Sequence, residues 1–312
     1  MASLRAHAVN FLLRHTVKRK FAAMTSPMDA RAAMTARPPR APRGVRFTQA
    51  FLGDVPGEWA EAPDPRAHML YLHGGGYMAM SPATHRTITG GFARRGFRVF
   101  AADYRLAPEH PYPAAVEDAL AAWRGLRGAV DGPIVVAGDS AGGGLALALL
   151  VALRDAGEAA AAGACLFSPW TDLAATGASL VFNRKRDPML LSEGIAEIAR
   201  LYHAHADPRA PLVSPLYADY AGLPPLRFFV GAEEVLLDDS RRAAERARAA
   251  GVAADIAIWR GVPHVWPIVG EFLPEARRAM NEAAQFLHDA AQAAPSRAQA
   301  APSRGHAARA GE

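Results

Sequence analysis

The sequence predicts an α/β fold in which a mostly parallel central sheet is flanked by helices. Short apolar runs, which predict strands, occur at 67–72, 97–102, 133–137, 163–168, 226–230 and 255–259. Predicted helices separate these runs near 83–95, 113–126, 141–155, 240–250 and 275–291. Because a helix between successive strands lets them run parallel, we expect helices to cover both faces of the sheet.

The segments outside this alternation predict a helical cap and a tail. Residues 1–45 predict an N-terminal helical cap segment, and 45–62 predict one or two strands around a Gly53/Gly57 turn. The α/β domain is expected over 46–292, with a cap insertion of two or three helices at about 173–222, where no strand pattern occurs. Residues 293–312 contain no apolar side chain larger than alanine and predict a disordered tail.

The charge distribution argues against a nucleic-acid partner. Residues 1–46 carry ten Lys/Arg and one acid, a net charge of +9, whereas 47–289 carry a net charge of −6. The main domain is therefore mildly acidic and offers no basic groove to a phosphate backbone. No apolar stretch approaches the roughly 20 residues that span a bilayer, so no stable membrane span is expected.

The N-terminal segment from Leu4 to Phe21 is basic, amphipathic and free of acids. This pattern resembles a transit peptide or a helix lying on a membrane surface, but we favour a helix that covers an active site. The single cysteine, Cys165, excludes an internal disulfide and fits a reducing compartment, so a cytoplasmic location is expected.

Gly138-Asp139-Ser140-Ala141-Gly142 is the most informative motif. It fits Gly-x-Ser-x-Gly and lies between an apolar predicted strand and an apolar predicted helix, which is the context of a nucleophile elbow. Such a turn strains the backbone of the serine and requires small residues two positions away on each side. Ser140 is therefore the candidate nucleophile.

His264 is the candidate general base. In α/β-hydrolases the chain order is serine, acid, histidine, and His264 follows the last predicted strand by a short Gly-Val-Pro loop. His73, His85 and His110 precede Ser140, against that order. His203 and His205 have the spacing of a metal pair but no third ligand, so a solvent-facing helix is expected there and not a metal site.

Two acids compete for the third position. Glu234 lies on the loop just after the strand at 226–230, where a residue can reach the imidazole. Asp238 is predicted inside the following helix, where acids in the first turn are ordinary. Loop position favours Glu234, and Asp238 stays as the alternative.

His73-Gly74-Gly75-Gly76 follows the strand at 67–72. Lipases and esterases place their oxyanion loop at this position, and consecutive glycines let backbone N–H groups approach a substrate. A flexible turn or a phosphate cradle is the alternative, but no Gly-Lys-Ser/Thr or dinucleotide fingerprint is present.

These motifs together resemble the bacterial hormone-sensitive-lipase-like carboxylesterases over about residues 40–290. The matching stretches are His73–Gly76, Asp103–Ala115, Gly138–Gly143, Ser168–Leu173 and His264. The resemblance implies an α/β-hydrolase fold with a helical cap and cofactor-free hydrolysis of carboxylic esters with short to medium acyl chains. Relatives carry Asp-Pro-Leu-x-Asp where this chain reads Glu234-Val235-Leu236-Leu237-Asp238, which aligns Glu234 with the catalytic acid.

The resemblance also implies residue roles. The oxyanion donors would be Gly75, Gly76 and Ala141, with His73 and Gly74 supporting the motif. Asp103, Arg105 and Glu109 would form a buried polar network, and Tyr77, Trp170 and Trp266 are candidate pocket walls that ordinary packing would equally explain.

The expected partner is a small-molecule ester, hydrolysed through an acyl-enzyme. Lactone hydrolysis and lipase activity on the same triad stay open, as does a non-catalytic ligand-binding receptor on the same fold. Proteins of this family are often homodimers, although no residue pattern here identifies an interface.

Overall fold

The computed structural model of the chain describes residues 2–24, 26–34 and 39–294. Its centre is an eight-stranded sheet in the order β1-β2-β4-β3-β5-β6-β7-β8. The strands are β1 (Arg46–Leu52), β2 (Val55–Glu61), β3 (Ala67–Leu72), β4 (Phe97–Ala102), β5 (Ile134–Asp139), β6 (Ala164–Phe167), β7 (Leu226–Gly231) and β8 (Ala254–Trp259). β1 and β2 pair antiparallel with their neighbours, and β3 to β8 are parallel.

Ten helices occur among the described residues. They are α1 (Leu4–His15), α2 (Val17–Ala22), α3 (Pro27–Met34), α4 (Arg86–Ala93), α5 (Ala114–Ala129), α6 (Ser140–Asp155), α7 (Ser179–Phe182), α8 (Ser192–His203), α9 (Leu237–Ala249) and α10 (Pro274–Ala293). The predicted α/β fold with a mostly parallel sheet is confirmed, because each predicted strand from 67–72 onward is present within one or two residues of its predicted ends.

Each face of the sheet is buried by its own core. Along β3, Leu70 and Leu72 belong to the core that includes side chains of α5, α6 and α9, whereas Met69 and Tyr71 belong to the core that includes side chains of α4 and α10. Successive side chains of a strand point to opposite faces, so a strand covered on both faces needs a continuous apolar run. This requirement explains why the apolar runs predicted the strands so closely.

The predicted Gly53/Gly57 turn is correct only for Gly53. The turn between β1 and β2 lies at Gly53 and Asp54, and Gly57 lies inside β2 opposite β4. A Cβ atom on Gly57 would lie 2.3 Å from Cζ of Phe100, so close packing of that ring explains this glycine.

The predicted buried network of Asp103, Arg105 and Glu109 is wrong. All three residues are exposed. Arg105 pairs with Glu117 and Asp118 of α5, and Glu109 pairs with Arg31 of α3 at 2.6 Å. Arg105 and Glu109 thus find their partners at the surface, where the desolvation cost of a charged pair is small.

Helices occur in both segments predicted as cap, although most of 173–222 is turn and loop. α1 to α3 come from the N-terminal segment, and residues 173–222 contain α7, α8 and a 3₁₀ turn at Pro215–Tyr217 but no strand. The proposed tail starts at the last residue of α10, and its residues 295–312 lie outside the described residues. None of the described helices combines the length and apolar character needed to cross a membrane.

Candidate active site

Ser140 lies at a sharp turn between β5 and α6. Its φ angle is +52°, a conformation that costs energy for any residue with a side chain. A Cβ atom on Gly138 would lie 2.4 Å from the carbonyl oxygen of Gly142, and one on Gly142 would lie 2.1 Å from that of Leu72. Both flanking positions therefore require glycine, which is the packing reason for the Gly-x-Ser-x-Gly spacing.

The imidazole of His264 bridges Ser140 and Glu234. Nε2 lies 2.9 Å from Oγ of Ser140, and Nδ1 lies 2.6 Å from Oε2 of Glu234. Because a carboxylate only accepts hydrogen bonds, Nδ1 carries the proton and Nε2 is left to accept from the hydroxyl. The three side chains thus form one hydrogen-bonded chain in the order that proton removal from Ser140 requires.

The carboxylate of Glu234 is buried and fully paired. Its Oε1 accepts from Oγ of Ser168 at 2.7 Å and from the N–H of Gly231 at 2.5 Å. Ser168 also accepts from the N–H of Val265 at 3.2 Å, so one hydroxyl connects the acid to the loop that carries His264. A buried charge held by several hydrogen bonds is fixed in place.

Asp238 has a different function in the fold. Its Oδ2 accepts from the N–H of Ser179 at 2.9 Å, and its Oδ1 lies 3.6 Å from Nη1 of Arg241. These contacts tie α7 to the first turn of α9. The structure therefore brings Glu234, and not Asp238, to the imidazole.

Burial and charge act in opposite directions on His264. Burial alone would lower the pKa of His264, but the carboxylate of Glu234 more than offsets this, with smaller contributions from Asp187 and Asp139, and the pKa is raised above 6.5. An imidazolium formed during a reaction is therefore stabilised in place.

The glycine loop lies beside the elbow. Gly74 donates its N–H to Oδ1 of Asp139 at 3.1 Å, while Gly75 and Gly76 have φ angles of +124° and +64°. A Cβ atom on Gly75 would lie 2.1 Å from the carbonyl oxygen of Ala79, so only glycine fits. Gly75, Gly76 and Ser140 line one cavity, and Ala141 is the second residue of α6, whose N–H has no partner within the helix.

Asp139 connects the loop to the elbow through a buried cluster. It accepts from the hydroxyl of Tyr71 at 2.5 Å, and its Oδ2 lies 3.3 Å from Nε2 of His85. Burial opposes the charge on both groups, but their attraction raises the pKa of His85 and lowers the pKa of Asp139. His73 is also buried; its ring stacks on Tyr104 at 4.4 Å, and burial lowers its pKa to about 3.

A cavity of about 560 Å³ opens above Ser140 and His264. Its remaining wall is mainly apolar and comes from the N-terminal segment and the insertion before and within α8. The apolar wall residues are Phe21, Ala22, Met24, Pro27, Ala30, Met34, Met80, Trp170, Met189, Leu190, Leu191, Ile195, Ile198, Leu236, Val265 and Ile268. The polar lining residues are His85, Asp139, Ser140 and His264 on the elbow side, and Ser26, Glu193 and Glu197 from the N-terminal segment and α8.

Of the three predicted pocket walls, Trp170 lines the cavity and the other two do not. Tyr77 is buried and stacks on Tyr202 with 3.8 Å between the ring centroids. Trp266 is buried under α10 and donates its Nε1–H to the carbonyl oxygen of Glu275 at 3.2 Å. Tyr77 follows Gly76 and Trp266 lies two residues after His264, but closeness in sequence to a site residue does not determine where a ring points.

Two supporting residues were not predicted. Besides Ser168, Asp187 accepts from the N–H groups of Met189 and Leu190 with Oδ1 and from that of Val235 with Oδ2, at 2.8 to 2.9 Å. Asp187 thus fixes the cavity wall to the loop that carries Glu234. Among the described residues, no group of three or more His, Cys, Asp or Glu side chains could hold a metal ion.

Comparisons with known proteins show similarity to α/β-hydrolases named as esterases and acetyl-hydrolases. A family described as alpha/beta hydrolase fold matches residues 69–268. An acetyl-hydrolase of Streptomyces hygroscopicus is 45% identical over 233 residues, covering 73% of this chain and 78% of that protein. An esterase of Acinetobacter venetianus is 37% identical over 241 residues, covering 76% and 80%.

Solved structures match over nearly the whole chain. An esterase from the bacterial hormone-sensitive lipase family superposes with a TM-score of 0.85 at 41% identity, covering 93% of this chain and 99% of that one. EstE5 superposes with a TM-score of 0.89 at 38% identity, covering 94% and 100%.

Proposed function

Because this chain is a carboxylesterase of the bacterial hormone-sensitive-lipase family, with the α/β-hydrolase fold, we propose that Ser140, His264 and Glu234 are its catalytic triad and that it prefers short to medium acyl chains. The observation that carries the proposal is the continuous pair of hydrogen bonds, 2.9 Å and 2.6 Å, that joins the three side chains below the cavity.

The reaction proceeds by acyl transfer in two steps. His264 takes the proton of Ser140 as Oγ attacks the ester carbonyl, and the tetrahedral intermediate collapses when His264 returns that proton to the leaving alkoxide. Water then attacks the acyl-enzyme with His264 again as base, which releases the acid and restores Ser140. Glu234 holds the imidazole in the required tautomer and stabilises its positive charge.

The developing oxyanion is stabilised by fixed backbone donors. We assign this role to the N–H groups of Gly75, Gly76 and Ala141: Gly75 and Gly76 line the cavity, and Ala141 lies in the first turn of α6, whose macrodipole adds positive potential. The bond from Gly74 to Asp139 supports this role, since it ties the loop to the residue before Ser140. His73 and Gly74 act as supports of the loop and not as donors.

The acyl group is expected to occupy the apolar part of the cavity. Ile198 of α8 lies over the glycine loop, since a Cβ atom on Gly76 would lie 3.0 Å from its Cγ2. The name of the Streptomyces relative, acetyl-hydrolase, supports acetyl among the accepted groups. The expected substrate is therefore a small ester. We expect its hydrolysis to need neither a metal ion nor an organic cofactor.

Replacement of Ile198 by tryptophan is expected to shift the preference toward acetate. The larger ring fills the space beyond the reacting carbonyl, so kcat/KM for p-nitrophenyl octanoate should fall by roughly tenfold or more, while that for the acetate changes little. A chain-length series of p-nitrophenyl esters measures the shift, and Ile198→Leu, which conserves volume, is the control. An equal loss on every chain length would argue that the acyl group lies elsewhere.

The activity is expected to require deprotonation of His264. Its pKa is raised above 6.5, mainly by Glu234 acting against burial, and the imidazole accepts a proton only when it is neutral. The value of kcat/KM should therefore fall as pH decreases through a midpoint above 6.5.

The variant Glu234→Gln removes the negative charge, so the midpoint for its residual activity should move to lower pH. A profile of kcat/KM for p-nitrophenyl acetate between about pH 5 and 9 measures both midpoints. If the midpoint is the same in both proteins, Glu234 does not act on His264.

A further inference from the structure

Helix α1 leaves large apolar side chains in solvent. Leu4, Phe11 and Leu12 are 88%, 66% and 59% exposed. The orientation of the helix is set by its other side, where Ser3 bonds to Glu275 and Nδ2 of Asn10 donates to the carbonyl oxygen of Gly261 at 2.9 Å. The exposed residues are therefore held outward by bonds on the inner side of the helix.

A second exposed apolar pair lies close to the end of α1. Val181 and Phe182 of α7 are 80% and 49% exposed. The guanidinium of Arg14 donates to the carbonyl oxygens of Lys185 and Arg186 at 2.8 Å, and Nζ of Lys18 donates to those of Arg184 and Asp187. These bonds hold the two segments side by side. Single exposed apolar residues are ordinary, but five of them on α1 and on the segment bonded to its end are not.

Positive charge surrounds these apolar side chains. We define the N-terminal face as the exposed apolar residues Leu4, Phe11, Leu12, Val181 and Phe182 together with the basic residues Arg14, Lys18, Arg19, Lys20, Arg184, Lys185 and Arg186. Carboxylates also lie near this face: Glu193 pairs with Arg184, Glu233 lies 3.6 Å from Arg186, Glu275 bonds to Ser3, and Asp187 lies close enough to Lys18 to act on its charge. Residues 1–24 contain no acid at all. The face is therefore strongly basic, although residues 47–289 are acidic in sum.

The same segment forms part of the cavity wall. One residue separates α1 from α2, and α3 begins at Pro27. The residues Phe21, Ala22, Met24 and Ala30 of this segment line the cavity above Ser140. A surface that held the N-terminal face would thus hold the wall of the substrate cavity next to it.

We propose that the N-terminal face docks onto a bilayer surface that contains anionic lipids. The apolar side chains enter the interfacial layer of the bilayer, and the basic side chains contact head-group phosphates. An apolar stripe with flanking Lys and Arg is the pattern that binds a helix in the plane of a membrane. No span of the bilayer is involved. Docking would place the cavity next to esters that partition into lipid. The docking proposal does not depend on which residues form the catalytic triad.

The test is co-sedimentation with lipid vesicles. The full chain should bind vesicles of phosphatidylcholine in which a third of the lipid is phosphatidylglycerol, and bind vesicles of phosphatidylcholine alone at least about tenfold more weakly. Added salt should weaken the binding, because the attraction between basic side chains and head groups is screened.

Two variants separate the apolar and the charged contributions. Phe11→Ser with Leu12→Ser, and Arg19→Glu with Lys20→Glu, should each lower binding to the anionic vesicles by about tenfold or more. The matched controls are Phe51→Ser, a 70% exposed phenylalanine on the edge strand β1, and Arg241→Glu with Arg248→Glu on α9, which should bind as the wild type does.

All these variants should hydrolyse soluble p-nitrophenyl acetate at the wild-type rate, since none of the changed residues lines the cavity. This assay reports on the fold and on the catalytic proposal separately from docking. Absence of binding to the anionic vesicles overturns the proposal, as does binding that both double variants retain. A dimer in sedimentation velocity that dissociates in the Phe11→Ser/Leu12→Ser variant, without vesicle binding, would assign the face to self-association instead.

Discussion

Replacement of Ser140 by alanine is expected to lower kcat by about 10⁴- to 10⁶-fold while the protein stays folded. Alanine keeps the small side chain that the strained turn at φ +52° accepts, but it removes the atom that attacks the ester. His264→Ala should have an effect of the same order, because Ser140 then has no base. Steady-state hydrolysis of p-nitrophenyl acetate measures both losses.

Ser240→Ala is the matched control for this prediction. Ser240 is buried, and its hydroxyl has no hydrogen-bond partner in the described part of the chain, so activity should stay close to wild type. Turnover by Ser140→Ala near the wild-type rate, after purification that excludes contaminating esterase, would refute the assignment of the nucleophile.

Replacement of Glu234 by alanine is expected to lower kcat by about 10²- to 10⁴-fold, the second largest effect. The imidazole loses the acceptor at 2.6 Å from Nδ1, so it is no longer held in the tautomer that leaves Nε2 free. The loss is smaller than that for Ser140, since the nucleophile and the oxyanion donors remain.

Asp238→Ala is the comparison that separates the two acids. Asp238 bonds to the backbone of Ser179 and does not contact His264, so its removal should lower the melting temperature but change kcat by less than about tenfold. If Asp238→Ala abolished activity and Glu234→Ala did not, the acid would be misassigned.

The parallel strands were predictable because burial on both faces leaves a simple signal. Runs such as Met69–Leu72 are apolar at every position, and glycine or a charged loop ends them. The antiparallel edge was harder to predict. Gly57 looks like a turn residue in sequence, but it is a strand residue whose missing side chain makes room for Phe100.

The hydrogen-bonded arrangement of Ser140, His264 and Glu234 was predictable for a different reason. A residue just past the end of a parallel strand lies at one known edge of the sheet. Glu234 and His264 both follow strand ends, so their sequence positions predicted that they lie at the same edge as Ser140. The supporting contacts of Ser168 and Asp187 were not predictable, because they join residues 66 and 48 positions apart in sequence. No periodicity or spacing reports on such contacts.

The aromatic residues show the limit of arguments from neighbourhood. Tyr77 follows the glycine loop directly and has a φ angle of +60°. Its ring nevertheless stacks on Tyr202 in the core and does not line the cavity. Ten of the residues that line the cavity are methionine, leucine or isoleucine, and seven of these come from α8, the loop before it, and the N-terminal segment. These residues have no motif, so only the fold identifies them.

The central claim is that the hydroxyl of Ser140 carries the acyl group during turnover. The most direct measurement is peptide mass spectrometry after reaction with a fluorophosphonate probe, which forms a stable phosphonyl adduct on an activated serine. We expect one adduct per chain, on the peptide that contains Ser140, and none in Ser140→Ala or in protein unfolded before labelling. An adduct on another residue, or an unlabelled protein that still hydrolyses esters, would contradict the account.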